Sequence, residues 1–211
     1  MPQQLTLSSL PLFPLGTVLF PGGMLSLRVF EVRYLDMVRK CHQAGAPFGV
    51  VALAKGAEVR KAGAPQEELY SIGTLATIEE LQTPQPGLLL VRCQGGERFR
   101  VTQQHLLHHG LWVADVDMMD PDRNVPIPPD QQYVADLLAN AQHSLRENSS
   151  HADVITDSSA DQLKDCAWVA NRWCELLPLP LELKQRLMSL DNPLVRLELV
   201  ADILEQTGIA R

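Results

Sequence analysis

Short apolar runs broken by prolines open the chain. Leu10-Pro11-Leu12-Phe13-Pro14-Leu15 is followed by Val18-Leu19-Phe20, by Pro21-Gly22-Gly23 and then by Met24 to Val29. Prolines at that density exclude a helix and favour edge strands or extended segments, because each removes a backbone donor. Leu25, Leu27 and Val29 alternate with Ser26 and Arg28, which predicts a half-buried strand. The period then lengthens. Phe30, Tyr34, Met37, Val38 and Cys41 share one helical stripe, which Gly45 and Pro47 end. Phe48 to Leu53 is apolar and β-branched and reads as a buried strand, and 54–66 as a loop. Ile72, Thr74, Ala76 and Ile78 share one side of the next strand, with a turn at Thr83 to Gly87. Leu88 to Cys93 predicts a strand, Gly95-Gly96 a turn, and Arg98 to Val101 another strand. Trp112, Ala114 and Val116 alternate with Val113, Asp115 and Asp117 in a last one.

The segment from Pro121 to Pro129 is rich in proline, and every clear pattern after it is helical. Asp130 is placed to cap a helix whose face carries Val134, Leu137, Leu138, Ala141 and Leu145. Asn148 to Asp161 reads as a solvated loop. Leu163, Cys166, Ala170, Trp173, Cys174 and Leu177 make the next stripe. Pro180 introduces a short helix with Leu183, Leu187 and Leu190, and Asn192-Pro193 introduces the last one, with Leu194, Leu197, Val200, Ala201 and Leu204. The expected class is α+β. A β-rich twisted sheet or partly open barrel with one helix occupies 1–120, and an α-helical bundle occupies 121–211.

Composition narrows the function. The chain has 211 residues and a formal net charge of -7, with 45% apolar and 20% charged residues, near the globular average. The acidity sits in the second part: 121–211 carry 8 basic and 14 acidic side chains, against 10 and 11 in 1–120. A broad basic surface for nucleic acid is therefore not expected. No apolar run is long enough for a membrane span, and the opening lacks a basic secretion signal. Four scattered cysteines without a CxxC pair read as free thiols, so a cytoplasmic location is expected.

Catalytic patterns are missing. A phosphate-binding loop needs GxxxxGK[ST], and the chain has no Gly-Lys pair. His105, His108 and His109 cluster beside Gly110, but their setting reads as a polar turn rather than a metal site. There is no GxSxG motif, and Cys93 and Cys166 fall on apolar faces, where a thiol behaves as a small hydrophobe. Glu67-Glu68 and Glu79-Glu80 are neighbours that point to opposite faces of a strand, so neither pair works as acid and base. Arg98-Phe99-Arg100 reads as a strand with Phe99 inward and both arginines outward. No catalytic residue, metal ligand or cofactor is expected. The apolar residues Pro14, Phe20, Pro21, Phe30 and Tyr34 exceed what a small sheet needs, and most read as core. A groove for an extended apolar peptide at a sheet edge is the open alternative.

The opening, Leu10 to Gly23, together with Leu27-Arg28-Val29-Phe30-Glu31-Val32-Arg33-Tyr34 and Met37-Val38, resembles the N-terminal domain of Lon proteases. Phe48 to Val51, Ile72 to Ala76 and Gly96 to Val101 agree in order. The resemblance implies a PUA-like β domain, of the kind also found in cereblon, followed by helices. It implies recognition of protein substrates, either unfolded polypeptide or a partner protein, without the ATPase and protease modules of Lon. A cereblon-like small-molecule pocket is the alternative it suggests. Phe30, Glu31, Arg33 and Tyr34 match the family's Phe-Glu-x-Arg-Tyr. With Phe20 and Pro21 they are the candidate binding or signature residues. Glu31 is expected in the first helical turn and Arg33 beside a carboxylate. The oligomeric state is left open.

Overall fold

The computed structural model describes residues 5–58, 66–148 and 158–210. The chain divides into two compact units, Met1–Pro121 and Asp122–Arg211. The first holds strands β1 (Thr6–Leu15), β2 (Met24–Val29), β3 (Phe48–Lys55), β4 (Glu68–Gln85), β5 (Leu88–Leu106) and β6 (Trp112–Met118), and helix α1 (Val32–Ala44). The sheet order is β2-β5-β4-β3-β1-β6, and β5 also pairs with β6, so the sheet closes into a barrel. Only β1 and β3 run parallel, joined by the crossover through β2 and α1. The second unit is helical, which completes the α+β class.

Strand β1 is not an edge strand. It pairs with β6 from Thr6 to Leu12 and with β3 from Leu12 to Leu15. Pro11 lies before the β3 register begins and Pro14 after the β6 register ends. Each proline therefore has only one neighbour in register, which lets a strand with two neighbours tolerate two missing N–H groups. Leu12 and Phe13 face opposite sides and both are buried. Leu12 packs with Val51, Phe99 and Trp112, and Phe13 packs with Tyr34, Val38 and Phe48 under α1. Burial of both faces explains why the strict polar alternation is lost here.

The expected turn at Gly95-Gly96 is absent, and β5 runs straight through it. The glycine serves a close approach instead. A Cβ at Gly95 would lie 2.3 Å from the Phe20 carbonyl oxygen. Gly22 N–H donates to the Gly95 carbonyl, and Gly95 N–H donates to the Gly23 carbonyl, each at 2.8 Å. The Pro21-Gly22-Gly23 turn is thereby pinned on the sheet, and the buried Thr74 hydroxyl adds a 2.6 Å bond to the Leu19 carbonyl. Gly-Gly marks a turn or a close backbone contact with the same residues, so sequence alone does not separate them.

Other expectations change with tertiary contact. Arg98 is buried at 3% exposure, not outward. The register shifts between the Thr74↔Arg98 and Ala76↔Gly95 pairs, and Met119 N–H, in the chain leaving β6, donates to the Arg98 carbonyl. Phe30 precedes α1 rather than joining its buried stripe, which holds Tyr34, Leu35, Met37, Val38 and Cys41. Gly45 closes α1 in the left-handed region (φ 60°), where glycine carries no Cβ penalty.

The helical unit holds α2 (Gln132–Asn148), α3 (Cys166–Leu176), α4 (Leu181–Ser189) and α5 (Pro193–Gln206). Asp130 does not cap α2. It lies inside a short 3-10 turn, Pro129–Gln131, that leads into the helix. Leu145 is exposed rather than buried. The loop expected over 148–161 falls largely on 149–157, outside the described residues. Asn192 caps α5 as expected, its Oδ1 accepting from Leu194 N–H at 3.0 Å, with Pro193 at the first helical position. Asp165 caps α3 through Trp168 N–H and also accepts from Val125 N–H, both at 3.1 Å. The proline-rich stretch is thus tied into this unit: Cys166 N–H donates to the Val125 carbonyl and Ile127 N–H to the Lys164 carbonyl.

Candidate functional site

The chain turns from β2 into α1 through Phe30 and Glu31. Phe30 is 55% exposed and Val32 is 74% exposed, unusual values for two large apolar residues so close together. The corner beneath them is rigid. Glu31 is the residue before the helix, not part of its first turn, and its carbonyl accepts from Tyr34 and Leu35 N–H at 2.9 Å. Its carboxylate does not cap the helix. It pairs with Arg33 at 3.0 Å. Arg33 Nη1 reaches the Gly110 carbonyl at 2.7 Å, tying the start of α1 to the β5–β6 connection. The guanidinium also lies 4.5 Å from the centre of the Tyr34 ring, which stacks on Phe13 at 4.1 Å. Burial pushes the Tyr34 phenol up to about 12, against the pull of Arg33, so it stays neutral.

Two clefts flank this corner. The first, about 290 Å³, is lined by Phe13, Leu15 and Thr17, by Leu25 to Val29, and by Phe30, Glu31, Tyr34 and Glu58. The second, about 440 Å³, lies on the α1 side, where Val32, Arg33, Met37 and Lys40 meet His108 and His109. Phe30 lines the first of these partly apolar depressions and Val32 the second.

Of the six residues singled out from sequence, four meet here. Phe30, Glu31 and Tyr34 line the first cleft and Arg33 the second. Phe20 and Pro21 line neither. Phe20 is fully buried in the β1–β2 connection, and Pro21 opens the turn pinned on Gly95. Val32 and the β2 run Leu25 to Val29 were missed. Val32 carries a signal, an apolar residue between Glu31 and Arg33 on the polar side of the helical stripe. The run of β2 carries none, because its openness is a property of the sheet.

Chemistry elsewhere is quiet. Burial raises the thiols of Cys93 and Cys174 to about 12 and that of Cys166 to about 11, so they remain protonated and poorly nucleophilic at neutral pH. His108 and His109 meet edge to face at 5.1 Å. Among the described residues, no group of three His, Cys, Asp or Glu side chains is disposed to hold a metal ion. No described helix is long and apolar enough to cross a membrane. Trp112 lies in the barrel core and lines neither cleft, so neither offers the tryptophan wall of an aromatic cage.

Comparison with known proteins agrees with this architecture. A solved Lon N-terminal domain protein from Xanthomonas campestris is 34% identical and superimposes with a TM-score of 0.70, covering 93% of this chain and 98% of that one. The N-terminal domain of the Mycobacterium avium complex Lon protease shares the fold at 15% identity, with a TM-score of 0.57 over 92% of this chain and 96% of that one. Lon protease of Brevibacillus choshinensis is 24% identical over 196 residues, which is 92% of this chain and 24% of that protein. Lon protease of Anaeromyxobacter dehalogenans is 24% identical over 199 residues, 93% of this chain and 23% of that protein. The chain thus spans about a quarter of the length of these curated relatives. The family model of the substrate-binding domain of ATP-dependent protease La (LON) matches residues 9–206, and the chain belongs to that family.

Proposed function

We propose that this chain binds polypeptide, unfolded or presented by a partner protein, and performs no chemistry on it. The observation that carries the reading is the exposed pair Phe30 and Val32, each lining one of two clefts at a corner held by the Glu31–Arg33–Gly110 linkage. Apolar side chains displayed on a rigid corner gain affinity by shedding water without losing conformational freedom of their own. The family's substrate-binding description favours the same reading. The buried, protonated thiols give no support to covalent catalysis.

The test is binding of the purified protein to one polypeptide in denatured and folded form, with cleavage and ATP hydrolysis followed in the same samples. Selective binding of the denatured form is expected, with neither reaction. The combined Phe30→Ser and Val32→Ser variant should weaken it about tenfold or more, as loss of two apolar anchors does. Equal binding of both forms, or full binding by the double variant, would remove this surface from the function. Cleavage that survives repurification would overturn the non-catalytic reading.

A further inference from the structure

Strand β2 is at the end of the sheet order, with β5 as its one partner strand. Among the described residues, no backbone hydrogen bond reaches its other edge. Five consecutive β2 residues, Leu25 to Val29, line the first cleft. Alternate side chains of a strand point to opposite faces, so consecutive residues share a cleft only when it approaches the strand edge-on. The end of β1 and the chain just beyond it line the same cleft, through Phe13, Leu15 and Thr17. There β1 has run past its last pair with β6, Leu12↔Trp112, and keeps only β3. The barrel is thus sealed at one end by β6, which joins β1 to the Phe99–Leu106 half of β5. Towards the other end, β2 takes the Leu89–Gln94 half of β5, and among the described residues no strand pairs across the seam between β2 and β1.

Resting on the reading above, we infer that the bound polypeptide enters this seam as an added strand, pairing its backbone with the outer edge of β2. The unpaired N–H and C=O groups of β2 recur along an extended line. Only another extended chain offers matching groups at that spacing. The apolar lining residues Phe13, Leu15 and Leu27 receive the side chains of one face of the guest strand. Charge adds little selection, because Glu31 is already paired with Arg33 and the rim otherwise offers Arg28 against Glu58. The favoured guest is an uncharged segment with apolar residues at alternate positions.

An eight-residue peptide alternating valine and serine, in three forms, tests this on the whole chain. One form is unmodified, one is N-methylated at the valine amides and one at the serine amides. In an extended guest the two sets of N–H groups point to opposite edges, and the valine pattern holds the register. The unmodified peptide should bind and slow amide exchange within Met24–Val29. One methylated form should bind at least about tenfold more weakly, and the other nearly as well as the parent. Equal affinities for the two methylated forms, or unchanged exchange at β2, would overturn strand addition. They would leave the denatured-polypeptide result to judge the wider reading. No binding of the parent peptide would overturn it as well. Protection of β2 that rises with protein concentration alone would assign the edge to a second copy of the chain and also refute the proposal.

Discussion

In the barrel unit the strands find one another through backbone hydrogen bonds, and every strand except β2 has at least two neighbours. In the helical unit those bonds are spent inside each helix, and a side chain takes over the joining. Arg196, fully buried on α5, donates from Nε to the Leu187 carbonyl at 3.0 Å and from Nη2 to the Leu190 carbonyl. It also reaches Asn171 Oδ1 on α3 at 2.9 Å and both carboxylate oxygens of Asp122, at 2.6 and 3.0 Å. One guanidinium thus satisfies carbonyls at the end of α4 and fixes α3, α4, α5 and the entry of the chain together. Its five N–H groups suit that task as the three of a lysine do not. The barrel, by contrast, is limited by how closely backbones approach, and glycines set that limit. Charge is the weak point of one unit and volume the weak point of the other.

The largest effect is expected from Arg196→Leu. It removes the guanidinium that holds Asp122 and takes one donor each from the Leu187 and Leu190 carbonyls, so a loss of about 3–5 kcal/mol is expected. Amide exchange should accelerate in α3, α4 and α5 while the β4–β5 ladder keeps its protection. Equal loss in the ladder would mean that the two units do not differ in this way. Adding Asp122→Leu should recover part of the stability, because removing both charges costs less than removing one.

Gly95→Ala probes the barrel in the same manner. The new methyl would meet the Phe20 carbonyl at 2.3 Å, a backbone atom that does not swing aside. Overpacking of this kind costs about 1–3 kcal/mol. Urea denaturation should register that loss, with faster exchange at Gly22 and β5 and none in the helices. Unchanged stability would show that the β1–β2 connection shifts freely.

Arg33→Ala should cost about 1–2 kcal/mol, since it removes the Glu31 pair and the bond to the Gly110 carbonyl from a side chain only 8% exposed. Arg33→Lys should restore little, because a single ammonium cannot span both partners. A lysine variant with full thermal stability would reduce the linkage to a plain point charge.

A separate effect is expected from pH. Burial, opposed by Arg172 at 2.7 Å, pushes the Glu175 carboxyl up to about 7. The folded state then holds a proton that the unfolded chain has released. Stability of the helical unit therefore falls as pH rises from about 4.5 to about 7, the reverse of the usual carboxylate trend. Glu175→Gln should flatten that slope in denaturation curves taken across the window. A slope unchanged by the substitution would assign the dependence to another group.

Much of this molecule is written in local chemistry. The apolar periods marked α1 and all four helices beyond it, Asn192-Pro193 marked the start of α5, and the run from Phe48 marked β3. These depend on neighbours a few residues away, so a single sequence displays them. The Phe-Glu-x-Arg-Tyr motif also located the corner, because its residues are contiguous and contact one another. Other features depended on what lay opposite. Pro11 and Pro14 suggested an edge, yet β1 is interior, because each proline falls where one neighbour is out of register. Gly95-Gly96 suggested a turn, yet the strand continues, because another backbone rests on it. Phe30 fitted the helical stripe, yet it stands in solvent, because the helix begins two residues later. Arg98 read as an outward charge, and Arg196 gave no signal at all, until folding surrounded both. The sequence by itself determined which segments become strands and helices and where the signature corner lies, through spacing and turn chemistry. Only the tertiary structure decided which strand edge stays open and which charges are buried. Both depend on contacts between residues far apart in the chain, for which periodicity carries no signal.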